Sequence, residues 1–154
     1  MRHLLLALLV TTAVPAAASP SDDFRKLLDD HFAWVLKENP GFARSMGVDA
    51  DPTAVGDASL AADDRRAAKE AEFLKRLDAI PDSGLTSSER TDKAILRRLL
   101  AESIEANGFG QRTILFTSYS NPWQGAAGQG ERGGFRRKAD YANYLARLAK
   151  FPAT

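Results

Sequence analysis

The chain has 154 residues, 44% of them hydrophobic and 27% charged, and it contains no cysteine. That length supports one small domain with a modest core, and it is too short for two. Twenty-one basic residues stand against twenty acidic ones, so no net field points to nucleic acid or an anionic membrane as partner. The lack of Cys excludes disulfides, thiolate metal sites, a cysteine nucleophile and a lipid-modified N-terminal Cys.

Arg2 and His3 precede an apolar run from Leu4 to Val10, extended by Ala13 and Val14, and Pro15 leads into the small residues Ala16-Ala17-Ala18. Charge, apolar run and small-residue site in that order predict a secretory signal peptide over residues 1–18, cut between Ala18 and Ser19. The apolar stretch falls short of the roughly 20 residues a membrane-spanning helix needs. The mature chain is therefore expected in the periplasm or secreted, with no stable membrane anchor once the signal is removed. Loss of His3 leaves His31 as the single histidine, so a histidine-pair zinc site cannot be built. Asp49-Ala50-Asp51-Pro52 lacks the alternation and glycine of an EF-hand calcium loop.

In the mature chain, Phe24, Leu27, Leu28, Phe32, Val35 and Leu36 recur at three and four, which predicts a helix from Asp22 to Glu38. Ser21 is its expected cap and Asn39-Pro40 its stop. His31 borders the apolar stripe, where a structural role is expected because no local motif supplies a catalytic partner. Pro40 starts a short helical turn with Phe42, Ala43 and Met46 inward, ended by Gly47. A long helix follows from about Ser59 to Ala79, with Leu60, Ala67, Ala71, Leu74 and Leu77 on its buried side. Its dense mixed charge reads as a solvated face with pairs such as Glu72 and Arg76.

Pro81 to Gly84 form a turn, and Thr86-Ser87-Ser88-Glu89 is a capping-box pattern. It opens a helix bearing Ile95, Leu96, Leu99, Leu100 and Ile104 that ends at Asn107-Gly108. From Asn107 to Lys138 there are seven glycines and no helical period, apart from a short strand at Thr113 to Tyr119. Gly125, Gly128 and Gly130 do not form a phosphate-binding fingerprint. This loop is expected to be irregular and to present Tyr119, Trp123, Arg136 and Arg137 to a partner or substrate, the arginines suiting a carboxylate. Asp140 is the expected cap of a last helix with Tyr141, Tyr144, Leu145 and Leu148 inward. The fold class expected is mainly α: antiparallel helices with a long Gly-rich irregular loop over 107–138, forming an incomplete domain across residues 19–154.

Charge is uneven along the chain. Residues 19–108 carry 13 basic and 18 acidic residues, whereas 109–154 carry 7 and 2 together with eight of the thirteen aromatics. No recognisable nucleic-acid module accompanies this, so no nucleic-acid partner is expected. Serines and acids are plentiful, but no nucleophile elbow or paired-acid motif singles any out, and no catalytic, cofactor or metal residue is assigned.

Three segments carry a resemblance. They are Pro40-Gly41-Phe42-Ala43-Arg44-Ser45-Met46-Gly47, Leu85-Thr86-Ser87-Ser88-Glu89-Arg90-Thr91-Asp92, and Asp140-Tyr141-Ala142-Asn143-Tyr144-Leu145-Ala146-Arg147-Leu148. In order and spacing they resemble the N-terminal part of the bacterial family called domain of unknown function 885. The resemblance implies a longer, mostly helical, exported protein like a zinc metallopeptidase, whose His-Glu-x-x-His helix lies later in the chain. Two histidines one turn apart would hold zinc there and the glutamate would activate water. No stretch of this sequence matches that helix, so zinc is implied only for full-length relatives and none of its ligands is carried over. The expectation is the scaffold or substrate-channel half of such a protein, partnered by the missing C-terminal portion of its own domain and by a peptide substrate, and inactive alone. The rival expectation is a stand-alone periplasmic helical binding module.

Overall fold

The computed structural model describes residues 19–48, 51–114, 117 and 135–150. The signal segment with Ala18, and Phe116, Tyr119 and Trp123, lie outside the described residues. The protein is mainly α. Helices α1 (Pro20–Glu38), α2 (Pro40–Ser45), α3 (Leu60–Asp78), α4 (Ser87–Gly108) and α5 (Lys138–Leu148) follow in order, with short 3-10 helices at Asp82–Gly84 and Gly110–Thr113. Among the described residues there is no strand. Thr113, expected to open one, instead closes the second 3-10 helix, which also places a helical turn where a wholly irregular loop was expected.

The start of α1 is Pro20 rather than Asp22. Ser19, not Ser21, caps it: its hydroxyl accepts from the Asp22 N–H and the Asp22 carboxylate reaches back to Ser19. Pro20 fits the first helical position because its missing N–H would have had no partner there. Ser21 is thereby released to donate its hydroxyl to Glu89 at the start of α4. Thr86 and Glu89 form the expected capping box of α4, so one carboxylate holds both its own helix end and the neighbouring one.

Ion pairs fix the packing directions. Arg97 meets Asp78 at 2.9 Å and Asn107 donates to Asp64 at 3.2 Å, which sets α3 and α4 antiparallel across the Asp82–Gly84 turn. Arg76 meets Asp30 at 2.7 Å and Arg66 meets Glu38 at 3.6 Å, which sets α1 antiparallel to α3. Between the three helices lie Phe24, Leu27, Phe73, Leu77, Ile80, Leu85, Leu96 and Leu100, with Leu28, Trp34 and Leu74 packed against them. Each large side chain fully withdrawn from water contributes on the order of 1.5–3 kcal/mol.

The buried face of α3 differs from the expected one. Ala62, Phe73 and Leu77 are buried, whereas Leu60 and Ala71 are exposed. Leu77 is buried and Leu74 packs against the core as expected, but Phe73, Leu77 and Ile80 follow one another at four and three, so the stripe takes in Phe73 and Ile80 in place of Leu60 and Ala71. Phe42 of α2 and Met46 at its C-cap stand exposed although an inward position was expected, and Phe32 on α1 and Ile95 and Leu99 on α4 are exposed too. The expected Glu72–Arg76 pair is replaced, since Glu72 takes Lys69 and Arg76 crosses to α1.

Candidate functional site

Three places gather polar chemistry. The first is an open groove of about 330 Å³ between α3 and α4, lined by Asp63, Arg66, Glu70, Ser103 and Asn107. Arg66 is held between Asp63 of its own helix and Glu38 of α1, which neutralises that end of the groove. Burial pushes the Glu70 carboxyl above its ordinary range, while the nearby Ser103 hydroxyl and the Arg66 charge act in the opposite direction. Hydroxyl and carboxylate here have no imidazole between them. The groove can hydrogen-bond a polar group, but among the described residues it does not hold a hydroxyl, an imidazole base and an orienting carboxylate in sequence.

The imidazole of His31 is committed elsewhere. It packs edge-on against Phe73 with ring centroids 5.1 Å apart and tilts against Trp34 at 5.8 Å. Burial depresses its pKa, favouring the neutral ring. The structural role expected for His31 is the one its surroundings support. Among the described residues no three His, Cys, Asp or Glu side chains come together as metal ligands. The donor set of the described residues does not fit the zinc that the resemblance implies for full-length relatives.

The second place is the start of α5. Asp140 sits inside the first turn rather than at its cap, and its carboxylate accepts from the backbone N–H groups of Arg136 at 3.0 Å and Arg137 at 2.8 Å. The Arg137 guanidinium closes the same arrangement at 3.2 Å from Asp140. The expected carboxylate-binding role is thus met, for Arg137, by a carboxylate of this chain. Arg136 remains exposed. Phe135 stacks on Tyr141 and Tyr144, at 4.6 and 5.3 Å between centroids, so this aromatic group is local to α5. Tyr141 and Leu145 face outward instead of inward.

The third place was not singled out in the sequence. Arg44 at the end of α2 donates to the carbonyls of Ala54 at 2.8 Å and Asp51 at 3.4 Å. From the end of α5, Arg147 donates to the Pro52 carbonyl and Lys150 to the Thr53 carbonyl at 2.8 Å. Four successive carbonyls are therefore clasped by three cations from two helices remote in sequence. Burial, and then the like charge of Arg147, depress the Arg44 pKa, with Asp51 opposing. Asp51 is itself drawn into the loop, accepting from the Thr53 N–H and hydroxyl at 2.8 Å each. Those two hydrogen bonds, ahead of the Lys150 and Arg44 charges, hold its carboxyl below the usual range. Basic residues at the last turn of α5 are the one sequence signal for this clasp, and its partner loop carries no complementary charge pattern beyond Asp51.

No helix among the described residues is long and apolar enough to cross a membrane. No curated protein and no solved structure matches the chain. Residues 40–154, which include the second capping box and the clasp, match the model of the family described as "Bacterial protein of unknown function (DUF885)", and with most of its length so matched the chain belongs to the DUF885 family.

Proposed function

We propose that this is an exported DUF885 chain whose helices form the scaffold, or a wall of the substrate channel, for a zinc metallopeptidase-like portion whose ligands it does not carry. The observation that supports this reading is apolar surface left open on two helices. Ile95 and Leu99 on α4 are 54% and 57% exposed, and Tyr141 and Leu145 on α5 are 54% and 63% exposed. Ile95 and Leu99 each precede a buried core leucine, Leu96 and Leu100, by one residue and so lie about 100° round the helix. The helix thus carries one apolar stripe into the core and a second into solvent. Large apolar side chains gathered on a solvent face mark a contact surface. The occupant we assign is the later portion of the DUF885 domain, with peptide substrate bound between the two parts.

Export rests on the order of charge, apolar run and small residues over Arg2 to Ala18. Two measurements test the reading. Intact-mass analysis of exported material should give a chain starting at Ser19, and material still starting at Met1 would contradict export. Sequencing the reading frame beyond the Thr154 codon should show an in-frame continuation that encodes a His-Glu-x-x-His helix. A stop codon at that point with stable, monomeric expression would favour the stand-alone binding module instead.

A further inference from the structure

We propose that the clasp of Arg44, Arg147 and Lys150 around residues 51–54 is a binding site for a small, doubly charged oxyanion, independent of the scaffold reading above. Three formal positive charges converge on the loop, and among the described residues Asp51 is the carboxylate whose charge acts on Arg44 there. Among the described residues none of the three cations is in an ion pair: their hydrogen bonds run to loop carbonyls and to the Thr53 hydroxyl. Carbonyl oxygens and the C-terminal end of α5 bring partial charges that favour cations, but among the described residues Asp51 alone sets a formal negative charge against the three cations.

Among the described residues the buried Arg147 Nε has no hydrogen-bond partner. An unpaired buried donor is costly, and an anionic oxygen bound beside Arg147 would complete this one. Arg44 and Arg147 also repel one another, and an anion placed between them removes that repulsion. The guanidinium fork suits carboxylate or phosphate oxygens, and the Lys150 ammonium adds a point charge that follows either. Phosphate and dicarboxylates share this chemistry, and the two are told apart by probe.

The test is calorimetric titration of the full chain with inorganic phosphate and, separately, with succinate, both at fixed ionic strength. One saturable site per chain is expected for at least one probe. If phosphate saturates and succinate does not, the ligand group is tetrahedral; the reverse makes it a dicarboxylate. Lys150→Gln should weaken binding at least tenfold, and Arg147→Lys, which keeps the charge but removes Nε, should do likewise. Lys75→Gln, an exposed cation on α3 outside the clasp, should leave affinity unchanged. Lys150 is exposed, so its substitution leaves the Arg44 and Arg147 bonds to the loop in place and decides the matter even where Arg147→Lys does not fold. No saturation with either probe would overturn the proposal, as would equal losses in Lys150→Gln and Lys75→Gln, or unchanged affinity in Lys150→Gln.

Discussion

Gly84→Ala should destabilise the protein through one contact. Gly84 ends the 3-10 turn between α3 and α4, and a Cβ added there would lie 2.4 Å from Cγ, 2.7 Å from Cβ and 2.9 Å from Cδ of Pro20. The proline ring cannot swing aside like a flexible side chain. Its position is also held on both sides, by the Ser19–Asp22 cap and by the Ser21–Glu89 hydrogen bond. Leu85, next in sequence to Gly84, is buried in the core, so the turn cannot retreat freely either. Relief must come from moving a helix end or the turn, which costs about 1–3 kcal/mol by the scale of overpacked interiors. Replacing glycine where its φ is ordinary would otherwise stabilise by about 0.4–1 kcal/mol, because the unfolded chain loses freedom. The sign of the effect should therefore reverse once Pro20 is removed. Urea unfolding of the full chain, Gly84→Ala, Pro20→Gly and the double variant closes the cycle. A Gly84→Ala loss below about 0.5 kcal/mol in the presence of Pro20, or an equal loss after Pro20→Gly, would refute the steric account.

Leu77→Ala, at a position with 0% exposure, should cost about 2–5 kcal/mol in the same unfolding assay, whereas Leu145→Ala at 63% exposure should stay within about 0.5 kcal/mol. Similar losses at both would deny that α5's outward face is open. Glu89 has its pKa lowered to about 2, chiefly by the Ser21 hydrogen bond and then by the Thr86 backbone, so its contribution to stability is complete above the ordinary glutamate range and is lost as pH falls from about 4.5 toward 2. Wild-type stability should consequently drop more steeply across that window than Glu89→Gln, and parallel pH profiles would dismiss the staple. Burial lowers the His31 pKa, so folding is undisturbed above about 6.5 and weakens as pH falls below it, when the unfolded chain binds the proton more readily. An NMR titration midpoint for the His31 ring at or above 6.5 contradicts its burial against Phe73.

The helices were legible because their punctuation is local. Thr86 and Glu89 stand three apart, Asn39-Pro40 breaks the chain, and each works through atoms within one turn. Which side of a helix is buried is less local. In α3, Leu77 belongs to both the expected and the observed stripe, but Leu60 and Ala71 fit the first and Phe73 the second, and the choice between them is made by α1 and α4. The Ser21–Glu89 bond spans 68 positions, and nothing in either segment alone announces it. The clasp at residues 51–54 was illegible for a further reason: its acceptors are backbone carbonyls, which every residue possesses, so the sequence shows the cations without showing what they grip. Arg137 shows the converse, since a carboxylate three residues away satisfies it before any partner arrives.

The central claim, the proposal that the open apolar faces of α4 and α5 receive a metallopeptidase-like portion, is tested most directly by mixing the full chain with a separately produced later portion of a longer DUF885 protein, chosen for carrying a His-Glu-x-x-His stretch. Hydrogen exchange on the chain, read alongside peptide hydrolysis by the mixture, reports contact and function together. The account predicts a one-to-one complex, new amide protection around Ile95 to Leu99 and Tyr141 to Leu145, and zinc-dependent hydrolysis in the mixture that neither part shows alone. Unchanged exchange at both faces together with no gain in hydrolysis would contradict it, as would chelator-sensitive turnover by the isolated chain.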